Sequence, residues 1–83
     1  MSDASKYNPI SCNFYDELEA RATLRRLCTI QYREGGHEHT LTGAVIADLY
    51  VRDGVEYMEL ESGQTIRLDR LIAVDDKELK DYC

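Results

Sequence analysis

From Leu24 onward the chain changes its period. Before it, apolar residues recur every three or four positions; after it, they alternate with polar ones in short runs, each closed by turn-forming residues. "LCTIQYR" (27–33) puts Cys28, Ile30 and Tyr32 on one face and ends in "EGG" (34–36). "HEHTLTGAVIADLYV" (37–51) is long for a single strand and holds Gly43 in its interior, where a bend or bulge is expected. After the turn "RDG" (52–54), "VEYMELE" (55–61) aligns Met58 with Leu60, and "SG" (62–63) makes a tight hairpin turn. "QTIRL" (64–68) sends Ile66 and Leu68 inward and Thr65 and Arg67 outward. "DRL" (69–71) reads as one 3-10 turn and "IAVD" (72–75) as a last short strand. Short consecutive strands with tight turns bury their apolar faces by meandering and closing on themselves.

Ahead of the strands comes one helix. Asn13 is the expected N-cap, with Asp16 three residues on, a near relative of the capping box. Phe14, Leu18 and Ala22 form one stripe at the helical period, and the helix is expected to end near Thr23. Residues 1–11 read as an extended N-terminal arm in which Pro9 biases Asn8 away from helix and Tyr7 and Ile10 are placed to pin it. Residues 76–83 form a charged C-terminal tail expected to fray. The predicted fold is α+β, mostly β: an N-terminal helix followed by a five-stranded Sm-like small barrel over residues 12–75. An OB-like barrel usually carries its helix between the third and fourth strands, and no helical pattern lies there.

Eighty-three residues make one small domain with a thin core and no room for a cleft between domains. The formal charge is −6 and the pI about 4.7. Phosphate backbones repel such a surface, which argues against direct nucleic-acid binding and favours a basic protein as partner. Cys12, Cys28 and Cys83 form neither a CxxC nor a disulfide framework. "MSDASKYNP" lacks the basic-then-apolar pattern of a signal peptide, and no apolar run approaches the ~20 residues that span a bilayer. The expected setting is the cytoplasm, with reduced thiols and no membrane contact. Acidic β faces and short strands favour a monomer when free.

Signals for chemistry are sparse. His37 and His39 share a strand face, but a metal site needs further ligands and Cys28 has the pattern of a small core residue. Cys12 sits where a helix dipole would lower a thiol pKa, yet no base accompanies it in a recognisable motif. No enzyme activity, metal or cofactor is expected.

The acids of the helix carry more information. Tyr15 lies at the edge of the apolar stripe, with Asp16 and Glu19 adjoining it. Glu17 can pair with Arg21 four residues on, whereas Asp16 and Glu19 have no basic residue at i+3 or i+4. First-turn acids favour the helix dipole, which accounts for Asp16 and Glu17 but not for Glu19. An aromatic beside two uncompensated acids remains, a composition common at interface hot spots. Glu56, Glu59 and Glu61 read as a second, solvated acidic strip, partly offset by Arg67.

"YNPISCNFYDELE" (7–19) resembles the opening signature of the Rof family, Rho-binding antiterminators, in which a Tyr, a Pro-Ile pair, a Cys and a Tyr-Asp-x-Leu-Glu string occur at this spacing. "GVEYMELESGQTIRLDRL" (54–71) resembles the family's Val-Glu-Tyr strand, Gly turn and Arg-Leu-Asp ending. The resemblance implies an Sm-like barrel, no catalytic activity, and binding to the N-terminal RNA-binding domain of the hexameric transcription termination factor Rho, where it blocks RNA loading. It implies Rho contacts at Tyr15, Asp16, Glu17 and Glu19 on the helix and at Arg52, Asp53 and Gly54 in the turn. The alternative is an Sm-like RNA-binding module using Arg25, Arg26, Arg67 and Arg70; a third reading is a metal or catalytic site at His37, His39 and Cys28.

Overall fold

Ser11 decides where the helix begins. In the computed structural model, which describes residues 9–82, its side chain accepts a 3.2 Å hydrogen bond from the Asn13 N–H, and α1 runs from Cys12 to Leu24. The cap is therefore Ser11 and not Asn13, because a hydroxyl one residue before the helix reaches the orphan N–H groups first. At the other end Arg25 turns left-handed (φ 53°) and bonds back to the last turn, ending the helix close to the predicted position. Phe14 and Leu18 are fully buried and Ala22 packs at the edge of the same core, as the helical spacing requires. The expectations for Tyr7 and Asn8, and most of the arm, fall outside the described residues.

Seven strands follow among the described residues: β1 (Cys28–Glu34), β2 (His37–Ala44), β3 (Ile46–Arg52), β4 (Val55–Leu60), β5 (Thr65–Arg67), β6 (Leu71–Val74) and β7 (Lys77–Glu78). All pairings are antiparallel. They form two open sheets, one ordered β2-β1-β6-β7 and the other β3-β4-β5. The long segment 37–51 is thus two strands in two sheets. Gly43 (φ +65°) and the break at Val45 turn the chain, and the Val45 carbonyl accepts a 2.9 Å bond from the Glu61 N–H at the corner. The chain crosses back through the 3-10 turn Leu68–Arg70, whose Leu68 is fully buried.

The single five-stranded barrel expected from the order of elements is therefore not what the hydrogen bonding shows. A closed sheet needs a continuous ladder at both crossings. Here a strand break makes one crossing and a 3-10 turn the other, so the sheets face each other across a shared core without closing. Ile30 and Val74 of one sheet meet Ile46, Met58 and Ile66 of the other in one cluster with Phe14 and Leu18. Fully burying such side chains contributes about 1.5–3 kcal/mol each.

Residues 77–82, within the stretch that the composition marks as a charged tail, form regular elements. Lys77 and Glu78 pair with Val74 and Ala73, residues 79–82 form a 3-10 turn, and Leu79 packs against the core. Both turns with paired positive φ are two-residue hairpins of the I′ kind: Gly35 (63°) with Gly36 (80°), and Asp53 (55°) with Gly54 (79°). Among the described residues, no helix is long and apolar enough to cross a membrane.

Candidate functional site

With the helix starting at Cys12, its first turn contains no acid. Asp16 and Glu17 lie a turn further in, where the dipole has faded, so that account of them no longer holds. Glu17 has another explanation. Its carboxylate takes a 3.0 Å bond from Arg21 Nη1, the i+4 pair anticipated from spacing. Arg21 itself is buried, which its charge alone did not foretell, and its Nε donates to Asp75 Oδ2 at 2.8 Å.

Asp16 and Glu19 are exposed, and neither has an ion-pair or hydrogen-bond partner among the described residues. Tyr15 lies beside them on the core side, half-buried. α1 packs on β3, and this packing brings two further acids to the ring. Burial pushes the Tyr15 phenol above its ordinary value of 10.0, and the charges of Glu19, Glu56 and Asp48 push it further in the same direction. Two shallow clefts lie along this part of the helix, the first of them lined by the ring itself. One is lined by Ile10, Cys12, Tyr15, Asp16 and Glu56, the other by Glu19, Ala22, Thr23, Asp48 and Leu49.

Glu56 and Asp48 were missed in the sequence. For Glu56 the signal existed: it is an even number of residues from Met58 and Leu60, and so belongs to their inward face rather than to the strip of Glu59 and Glu61. Its Oε1 accepts a 3.0 Å bond from the Ile10 N–H and fastens the arm where it enters the helix. Asp48 follows a register shift between Ile46 and Asp48, and no sequence period locates a bulge of that kind.

Asp53 and Gly54 form the β3–β4 turn and Arg52 ends β3; Gly54 is two residues ahead of Glu56, roughly 7 Å from it along the strand. The Arg52 guanidinium lies over the Tyr50 ring at 5.5 Å, and Tyr50 stacks on Tyr57. Arg52 is therefore supported by the outer face of the β3-β4-β5 sheet, while Tyr15 projects from α1 toward the core; Glu56 ties β4 to Ile10 just ahead of the helix.

The metal or catalytic reading does not survive the register. His39 pairs with and stacks on Tyr32, and His37 pairs with Glu34 at the turn. Cys28 lies at the opposite end of the β1–β2 hairpin, buried, its thiol donating to the Ala44 carbonyl at 3.3 Å. Burial pushes that thiol up, away from reactivity.

No protein-family model matches the chain. Over 76 residues it is 32% identical to the curated Protein rof of Escherichia coli (strain K12), an alignment covering 88% of this chain and 86% of that protein. The chain belongs to the Rof family. Protein rof of Shigella flexneri matches with the same identity and coverage. Coverage of this extent takes in α1 and both sheets, so the Rof relationship applies to the domain as a whole and not to one motif.

Proposed function

We propose that this Rof-family chain binds the N-terminal RNA-binding domain of transcription termination factor Rho and blocks RNA loading, inhibiting Rho-dependent termination in the cytoplasm. The observation that carries this reading is Tyr15, held against the core and ringed by Asp16, Glu19, Asp48 and Glu56, with Asp16 and Glu19 unpaired among the described residues. A groove that holds RNA offers Arg and Lys for phosphates and aromatic platforms for bases. Carboxylates compete for the first, and a tyrosine ring competes for the second. The action is steric and electrostatic and requires no chemistry, cofactor or metal. The Arg52–Asp53–Gly54 stretch, at the near end of the strand that carries Glu56, supplies a second contact. The free protein acts as a monomer and does not itself bind nucleic acid.

Two of the four arginines that the RNA-binding alternative would use are already engaged by carboxylates, whereas Arg26 and Arg70 are exposed. Arg25 is paired with Glu61, and Arg67 is paired with Asp69 at 2.8 Å. Guanidiniums already held by carboxylates are poor phosphate ligands.

The test is a titration of intact Rho with the wild-type chain and with Asp16→Lys/Glu19→Lys, over a salt series and in competition with oligo-pyrimidine RNA. The wild type displaces RNA, and the reversed variant does not bind while its circular dichroism is unchanged. Undiminished affinity and salt dependence in the variant would sink the assignment, as would tight oligo-pyrimidine binding by the chain alone.

A further inference from the structure

The helix is gripped on the flank opposite its exposed acids. Measured from Phe14 at about 100° per residue, Leu18 lies about 40° to one side, and Tyr15, Glu19 and Asp16 follow at about 100°, 140° and 200°. Glu17 and Arg21 lie on the other side, at about −60° and −20°. Phe14, Leu18, Ala22 and Tyr15 all meet the core from one side, within an arc of about 100°, but apolar burial has no direction and leaves the roll of a short helix loosely set. Hydrogen bonds to a planar fork do have direction.

Arg21 makes three such bonds: to the Glu17 carbonyl at 3.0 Å, to Glu17 Oε1 at 3.0 Å and to Asp75 Oδ2 at 2.8 Å. Asp75 is fixed in turn. Its Oδ1 accepts from the Thr29 N–H at 3.0 Å, and its own N–H donates to the Thr29 carbonyl at 2.7 Å. The helix is thus pinned to the junction of β1 and β6, 54 residues away in the chain. The Arg21 side chain is 9% exposed, and burying a charge at that depth is worth its desolvation only if the geometry it enforces matters.

We infer that Glu17, Arg21 and Asp75 are positioning residues that set the roll of α1 and so aim Tyr15, Asp16 and Glu19 at the partner, and that Glu17 is not itself a contact. This rests on the function proposed above. It divides the helix acids into one spent on an internal clasp and two left for a basic surface.

The experiment compares four variants in titrations of intact Rho across a salt series, with hydrogen exchange of the α1 amides as a second readout. Arg21→Lys keeps the charge but loses the fork, and Asp75→Asn loses the charge at the anchor. Each is expected to bind about tenfold more weakly with an unchanged salt slope, because no contact charge has been removed, and to speed α1 exchange. Glu17→Gln, which keeps an acceptor for Arg21, is expected to bind within about twofold of wild type with the same slope, whereas Glu19→Gln lowers both. Wild-type affinity in Arg21→Lys and Asp75→Asn overturns the positioning role, as does a Glu17→Gln variant that loses affinity and slope like Glu19→Gln. If Arg21→Lys does not fold, Asp75→Asn and Glu17→Gln decide. If Glu19→Gln and the Asp16→Lys/Glu19→Lys variant both bind as wild type, the site itself is wrong and the clasp has nothing to aim, a result distinct from the other two.

Discussion

The Tyr32 hydroxyl accepts a 2.7 Å hydrogen bond from Gln64 Nε2. Tyr32 belongs to β1 in one sheet, and Gln64 immediately precedes β5 in the other. The bond closes a seam that no backbone ladder closes. Tyr32→Phe removes the acceptor while keeping the ring, and is expected to cost about 1 kcal/mol in urea unfolding. Its effect should be local: faster amide exchange at residues 61–65, with α1 unaffected.

Acid stability depends on Asp75. Burial pushes its carboxyl up, but the Thr29 N–H and the Arg21 guanidinium outweigh this and hold it below the ordinary 3.8. A carboxyl depressed on folding contributes stability that is present above its unfolded pKa and lost as pH falls through the lower folded value. Asp75→Asn should therefore be less stable than wild type at neutral pH, with the gap narrowing below about pH 4. Paired denaturation curves from pH 3 to 7 measure it; a constant gap across that range would contradict the assignment.

Tyr15 reports on the acids around it without any partner present. Its phenol is raised by burial first and then by Glu19, Glu56 and Asp48. Glu19→Gln removes one of those charges, so the ring should titrate at lower pH than in wild type. NMR of the Tyr15 ring resonances during an alkaline titration gives the direction directly. The same substitution at Glu59 should leave Tyr15 where it is.

Gly54 is the second residue of the β3–β4 turn, at φ 79°. An alanine there must enter the left-handed region at a cost of about 1–2 kcal/mol. Gly54→Ala should lower the unfolding midpoint while leaving the helix acids in place. Asp53, at φ 55°, carries the same demand, and Asp53→Gly should relieve it, raising stability in the same measurement.

Much of this was legible in the chain. The period-two faces of Cys28, Ile30 and Tyr32, of Met58 and Leu60, and of Ile66 and Leu68 are all buried as read. So are Phe14 and Leu18, and the Glu17–Arg21 pair forms at its predicted spacing. Local periodicity suffices for these, because each side chain's direction follows from its own element. The N-cap was displaced by two residues because Ser11 and Asn13 are both capping types and only the backbone path chooses between them. The β7 pairing and the division into two open sheets escaped the sequence for a related reason: a two-residue strand and a ladder that stops at Val45 leave no periodic trace.

The sequence by itself determined the helix, the inward faces of β1, β4 and β5, the turns at 34–36 and 52–54, and the adjacency of Tyr15, Asp16 and Glu19 along α1, since all of these follow from spacing within a few residues. The tertiary structure alone decided that the strands divide into two open sheets and that Asp48 and Glu56 join Tyr15 from across the fold. It alone turned Arg21 inward to Asp75. These depend on contacts between residues far apart in the chain, and no local pattern encodes which distant carboxylate a buried guanidinium will meet.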